Sequence, residues 1–347
     1  MSSFTGPEIS NSGLVLFYDM NNVQKSWKGK PTTNFITNPT EEMARGEFGQ
    51  YRDLAPIFNT NGLVPYSLSM DIKVNKPGSV LIYMQNGSSS KYSFVNQSVN
   101  ATTEYQRFYF NNLTPAISNA SDTAATLATY TGYGSGVTPT VKNIQLELGS
   151  FSTPFVNGTR SNTQSVVDLT GNNTVTASVL TYNSNGSFSF DGSTSYLDCG
   201  NNSIIQQSSA ITMFSWTKAI SSSGLGNILS KNGNSGYRFR IQNEQLWFYV
   251  SGNSVIGGSV LNGTWNYCVV TGDSSGLKAY VNGSLVASNT TAFAPAAPAS
   301  GNLYVGCYSP NVEVFNGIIS VAGMYNRALS AQEIQQNFNA LRGRYVI

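Results

Sequence analysis

Near its C-terminal end the chain runs from an apolar stretch straight into a fully specified helix start: residues Phe315 to Arg344 read FNGIISVAGMYNRALSAQEIQQNFNALRGR. Ser330 and Glu333 have the Ser-x-x-Glu spacing of a capping box, in which each side chain satisfies a backbone N–H that the first turn leaves unpaired. Leu329 and Ile334 fall at the two positions of a hydrophobic staple. Ile334, Phe338 and Leu341 then recur at the i, i+4, i+7 spacing of one buried helix face. Gly343 is expected to end the helix, with Arg342 and Arg344 against the negative end of its dipole. No other helix is written so plainly, so the chain reads as β structure closed by one short helix.

The Tyr-Asn-Arg-Ala-Leu-Ser run at Tyr325 to Ser330 resembles the end of laminin-G-like, concanavalin-A-like jelly-roll domains, where a last strand leads into a closing helix. Three upstream segments carry the same resemblance in the same order. Phe188 to Gly200, FSFDGSTSYLDCG, is similar to the family's first strand pair; Gly263 to Val270, GTWNYCVV, to a core strand; and Lys278 to Ala287, KAYVNGSLVA, to its Asn-Gly hairpin. The resemblance implies a fold and leaves the ligand open, because one fold hosts many functions.

Between Asp19 and Asp168 lies a second set of alternating segments: Tyr66 to Val74, Val80 to Met84, Tyr105 to Phe110, Leu127 to Tyr130 and Val141 to Leu148. Short strands separated by Gly, Pro and Asn predict a β-sandwich. The opening TNFITNPT, the central SLSMDIKV and the closing VKNIQLELGSFSTPFVNGTRS resemble a carbohydrate-binding-module-type jelly roll, and the closing motif resembles segments of bacteriophage tail and virion-surface proteins. In that motif Val141, Ile144, Leu146 and Leu148 form a last strand, and Pro154 lets the chain leave the sheet. In phage proteins of the laminin-G-like type, a Gly-Leu-Val-Leu-Tyr-x-Asp strand usually precedes an Asp-Leu-Ser-Gly-Asn turn and then the Phe-Asp-Gly strand. Gly13 to Asp19 matches the first and Asp168 to Asn172 the second, which predicts a domain inserted between them. The expected division is 1–28, a segment giving one strand to the laminin-G-like domain; 29–158, the inserted sandwich; and 159–347, the laminin-G-like jelly roll. The fold class is all-β, with two jelly-roll or sandwich domains.

Charged residues make up only 10% of the 347, with 19 basic against 17 acidic and a net charge of +2. No Lys/Arg run supplies the electrostatic footprint of a nucleic-acid partner. The opening MSSFTGPEIS has neither a basic n-region nor an apolar h-region, and no stretch approaches the roughly 20 apolar residues of a membrane span. Synthesis in a cytoplasm without membrane insertion is expected. Cys199, Cys268 and Cys307 lack metal-ligand spacing and read as buried free thiols. The Asn-x-Ser/Thr sequons, Asn86, Asn112 and Asn262 among them, are read as composition and not as glycosylation sites. Asn-Gly pairs at 232–233 and 282–283 predict hairpins.

The sequence contains no histidine. That excludes Ser-His-Asp and Cys-His nucleophilic sites and removes the commonest zinc and iron ligand. Glycoside hydrolysis needs two carboxylates flanking the bond. The hydrolases of the resembled fold carry Glu-x-Asp-x-x-Glu on one strand, a run missing here, while Glu41, Glu42, Glu47, Asp191 and Asp198 lie in loop or turn sequence. The resemblance implies a possible Ca²⁺ site, for which Asp168, Asp191, Asp198 and Asp273 are the oxygen donors, beside the simpler reading that Asp in Gly-containing turns bonds its own backbone. Otherwise no cofactor is expected.

Sugar binding uses an exposed aromatic platform with nearby amides. The candidates are Tyr237, Trp247 and Tyr249 and, in the inserted domain, Tyr83, Tyr92 and Tyr130; Trp216 and Trp265 read as core. The resemblance implies a non-catalytic bacteriophage virion accessory protein, a fibre or decoration subunit exposed on the particle, contacting other virion proteins and host-surface glycans as a homo-oligomer. A ligand-free cement protein and a glycan hydrolase are the alternatives.

Overall fold

A computed structural model describes residues 8–22, 26–86, 91–115, 125–183, 186–221, 224–231, 236–295 and 301–345, with the backbone alone at 85–86 and 91–93. The Asn-Gly pair at 232–233 and the Asn86 side chain lie outside the described residues. The chain forms two compact units, one of residues 1–30 with 162–347 and one of residues 31–161.

The larger unit is a two-sheet sandwich. Its eight-stranded sheet runs Thr181–Asn183, Ser187–Asp191, Asn316–Tyr325, Ile211–Ser221, Asn266–Asp273, Gly276–Val281 and Ser284–Asn289, and Leu14–Asp19 also pairs with Asn316–Tyr325. Leu14–Asp19 lies opposite residues 321–325, and Ser187–Asp191 opposite residues 316–319, so both take the same edge of that long strand, end to end. Gly323 permits this packing, since a Cβ there would lie 2.5 Å from the Phe214 ring and 2.8 Å from the Leu16 carbonyl. The seven-stranded sheet runs Thr176–Ser178, Tyr196–Asp198, Leu303–Val305, Gly226–Lys231, Tyr237–Gln242, Gln245–Val250 and Asn253–Ser259. Alternating apolar side chains such as Phe239, Ile241, Leu246, Phe248, Val270 and Ala279 meet between the sheets, as the period-2 pattern of a strand requires. Cys199, Cys268 and Cys307 are buried free thiols. The hairpin at Asn282–Gly283 has both residues left-handed, with φ of 50° and 83°, which is why Asn-Gly stands there.

The outer face of the eight-stranded sheet is covered by the helix Ala331–Leu341. Both capping-box bonds are present: Ser330 Oγ accepts from the Glu333 N–H at 3.2 Å, and Glu333 Oε2 accepts from the Ser330 N–H at 3.0 Å. Leu329, Ile334, Phe338 and Leu341 are buried, and Trp216 stacks on Phe338 and on Tyr345 with ring centroids 5.7 and 4.1 Å apart. The expected stop at Gly343 does not occur. Gly343 has no left-handed backbone, and the helix tightens into a 3₁₀ turn over Arg342–Arg344. Arg344 reaches Asp19 at 2.7 Å and Arg342 lies over the Phe338 ring, so neither serves chiefly as a dipole partner.

The unit 31–161 is a smaller sandwich of two four-stranded sheets. One is ordered Met43–Ala44, Pro139–Leu148, Tyr66–Val74, Gln106–Leu113, the other Phe48–Asp53, Ala125–Tyr130, Gly78–Asn86, Lys91–Ala101. Their inner faces enclose Leu68, Met70, Ile72, Val80, Ile82, Met84, Leu127 and Leu146. The expected closing strand runs Pro139–Leu148, and Leu148, at its end, is 41% exposed. A short helix at Ala55–Asn61, held at its start by the Asp53 carboxylate on the Ala55 N–H, has no counterpart in the sequence reading. The unit's two ends meet, Thr32–Thr33 pairing with Thr159–Arg160. Thr32 donates to the buried Glu147 at 2.7 Å, and Asn34 bonds the Ile144 carbonyl and the Leu146 N–H, so the opening and closing motifs form one polar clasp.

Candidate functional site

The strand YRFRIQ, Tyr237 to Gln242, buries every second residue: Tyr237, Phe239 and Ile241 face the core, and Arg238, Arg240 and Gln242 face outward. Antiparallel register carries this alternation across the seven-stranded sheet, because directly opposed residues share a face. One outward row therefore reads Asp198, Tyr304, Ser230, Arg238, Tyr249, Ser254. The next reads Asn227, Arg240, Trp247, Ile256. Two arginines and two aromatic rings thus alternate on adjacent strands, in rows about 7 Å apart along the strand.

The two arginines are held differently. Arg238 lies 3.6 Å from the Glu313 carboxylate, and its guanidinium sits 4.1 Å from the Tyr308 ring centroid and 5.3 Å from that of Tyr249. Glu313 is fixed in turn by the Asn227 amide at 3.0 Å and holds a left-handed backbone, φ 48°, uncommon for Glu. Arg240 stacks 4.9 Å over Trp247 and, among the described residues, forms neither an ion pair nor a hydrogen bond. Burial pulls its guanidinium below the ordinary value, a direction that Arg238 reinforces and Glu313 and Tyr249 oppose. Beneath the same face Arg240 Nε, Trp247 Nε1, Gln242 Oε1 and Asn227 Oδ1 are buried without a hydrogen-bond partner among the described residues. Tyr196 and Tyr304 meet edge to face at 5.9 Å farther across the sheet.

Of the predicted platform residues, Trp247 and Tyr249 lie together on this face, half-buried. Tyr237 does not: it is in phase with Phe239, its ring is in the core, and its hydroxyl donates to the Ile205 carbonyl at 2.7 Å. In the smaller unit Tyr130 and Tyr83 point outward from neighbouring strands, Tyr130 opposite the half-exposed Phe48. Phe48 and Tyr83 rings are 6.1 Å apart, but Tyr83 is only 4% exposed, so that patch offers chiefly Phe48 and Tyr130. Tyr92 lies on the Lys91–Ala101 strand and its side chain is outside the described residues.

The four aspartates do not come together in one cluster. Asp168 accepts from Phe17, Thr170 and Asn173; Asp191 from Ser193, Thr194 and Ser195; Asp198 from Gly200 and Asn302; and Asp273 from Ser275. Asp191 and Asp273 bond within their own turns, Asp168 and Asp198 also bond the distant Phe17 and Asn302, and no described cluster of three or more Asp, Glu or Cys is placed to hold a metal. Against the opposing effect of burial, the Thr194 hydroxyl and then the backbone N–H groups of Thr194, Ser193 and Ser195 hold Asp191 well below the usual carboxylate range, which also describes a turn anchor.

Sequence reasoning missed Arg238, Arg240, Tyr304, Tyr308 and Glu313. The arginines were findable, because charge at alternate positions of an otherwise apolar strand marks its outward face. Tyr308 and Glu313 come from a loop with no periodicity and reach the site only through the fold.

The family model described as Concanavalin A-like lectin/glucanases superfamily matches residues 191–335. None of the curated proteins matches the sequence. Among solved structures, the botulinum neurotoxin serotype D/C binding domain is similar at 17% identity and a TM-score of 0.43, over 52% of this chain and 51% of its own. The binding domain of Paraclostridial Mosquitocidal Protein 1 is similar at 14% identity and a TM-score of 0.42, over 50% of this chain and 49% of its own. The chain thus spans about half the length of the structures it matches.

Proposed function

We propose that the chain is a non-catalytic glycan-binding protein, working through the outward face of its seven-stranded sheet, and that it serves as an accessory subunit on the surface of a bacteriophage particle. The observation that carries the reading is the stacking of Arg240 on Trp247 beside Arg238 on Tyr249. An aromatic face covers the apolar side of a sugar ring, while planar, always-charged guanidinium donors bond its oxygens. The site is shallow, so single contacts are weak, and attachment comes from many copies on one particle, where effective concentration raises avidity without new contacts. The phage setting rests on the resemblance of the QLELGSFSTPF segment and of the split Gly13–Asp19 and Asp168–Asn172 motifs to virion proteins.

Hydrolysis fits the face less well, since its carboxylates are committed: Glu313 to Arg238 and Asn227, and Asp198 to Asn302 and Gly200. Particles made without the protein should adsorb poorly to their host. Normal adsorption and infection would leave a ligand-free cement subunit, and release of reducing ends from host polysaccharide by the pure protein would make it a hydrolase.

A further inference from the structure

We propose that the glycan taken by this face is acidic and that Arg240 receives its carboxylate; this rests on the glycan reading and narrows it. The two arginines of the face are not equivalent. Arg238 is compensated by Glu313 at 3.6 Å and wedged between Tyr308 and Tyr249. Arg240 has a ring on one side and no ion pair: Glu313 acts on it only at a distance, and among the described residues nothing accepts a hydrogen bond from it. The other carboxylate of the face, Asp198, lies three strands from Arg238, about 14 Å at ordinary strand spacing, and is already bonded by Asn302. One positive charge is therefore left over in the middle of the sheet.

A partly desolvated cation without a partner is costly, and a bound carboxylate removes the cost while making a forked, charge-assisted pair with the guanidinium. Stacking on Trp247 fixes the plane of that fork. A sugar ring lying along the strand that carries Trp247 and Tyr249 would place a carboxyl on its edge within reach of Arg240 on the next strand, because neighbouring strands are about 4.8 Å apart, roughly the width of a pyranose. A neutral glycan would fill the aromatic surface and leave the charge as it is.

The test uses the full chain, multimerised, on an array of sialylated and hexuronate-bearing glycans printed beside the same glycans with the carboxyl reduced to an alcohol and beside sulfated neutral glycans. Binding to acidic members should exceed binding to their reduced forms at least tenfold. Arg240→Gln should abolish that difference, and Arg240→Lys should restore it only in part; thermal melting shows whether each variant remains folded. Equal binding of acidic and reduced forms, with Trp247→Ala lowering both, overturns the acidic assignment and leaves the glycan reading standing. Equal binding of sulfated and carboxylated members, both lost in Arg240→Gln, also overturns it, in favour of a general anion site. No binding to any member overturns both readings.

Discussion

The buried carboxylate of Asp168 accepts a hydrogen bond from the backbone N–H of Phe17 at 2.9 Å, although 151 positions separate the two residues. The same turn bonds the outer edge of the Leu14–Asp19 strand again through Leu169 N–H to Phe17 O, Thr170 Oγ1 to Val15 O and Asn173 Nδ2 to Val15 O. That strand would otherwise end its sheet with unpaired backbone groups, an exposed edge that proteins commonly cover. Asp168→Ala should therefore cost about 3 kcal/mol in urea unfolding, the upper range for losing buried bonds to a charged acceptor. A loss below about 0.5 kcal/mol, as for an ordinary surface change, would show that the turn is not what holds the strand.

Since Thr32–Thr33 pairs with Thr159–Arg160, the ends of the smaller unit lie side by side. We propose that this unit is an insertion, of the kind tolerated where neighbouring ends leave an exposed loop. Replacing residues 31–161 by a short Gly/Ser bridge should leave a remainder that melts cooperatively. A remainder without a cooperative transition would mean that the two units do not fold separately.

The closing helix gives a graded test. Ser330→Ala should lower stability by about 1 kcal/mol, the usual loss of a helix cap. Phe338→Ala should cost roughly 3 to 5 kcal/mol, because its ring packs on Trp216 and leaves a cavity beneath the helix. Equal melting of both variants and the parent would mean that the helix contributes nothing to the fold.

Lys231 predicts an alkaline effect. Its amine is fully buried on two neutral oxygens, Asn201 Oδ1 at 2.6 Å and Gly301 O at 2.7 Å, and burial lowers it from 10.5 to about 8. Between those values the unfolded chain binds more protons than the folded one, so stability should rise with pH, by roughly 2 kcal/mol from pH 8 to 10. Below about 8 this group should give no slope. Lys231→Met should flatten the rise, and an unchanged slope would assign it to another group.

Local rules made some of this legible and not the rest. The capping box, the staple and the stripe at Ile334, Phe338 and Leu341 all involve residues within a few positions of one another. What the sequence did not display is that Arg327 reaches Glu333 at 2.6 Å and, foremost among several bonds, holds its carboxyl down at about 2. On the arginine–aromatic face the alternation of YRFRIQ was readable, and it separates Arg238 and Arg240 from Tyr237. Aromatic composition alone did not separate them, because Tyr serves both the core and the surface. The carboxylates of Asp168, Asp191, Asp198 and Asp273 have sequence settings compatible with either turns or metal, and only the fold shows the backbone and side-chain donors that each one accepts from.

The central claim is that the Arg–aromatic face binds glycans, and the most direct measurement compares the multimerised chain with its Trp247→Ala form on one glycan array, after melting shows both folded. The account predicts binding to at least one glycan class and a loss of tenfold or more in the variant. Equal binding by the two proteins, or none by the parent, would contradict it.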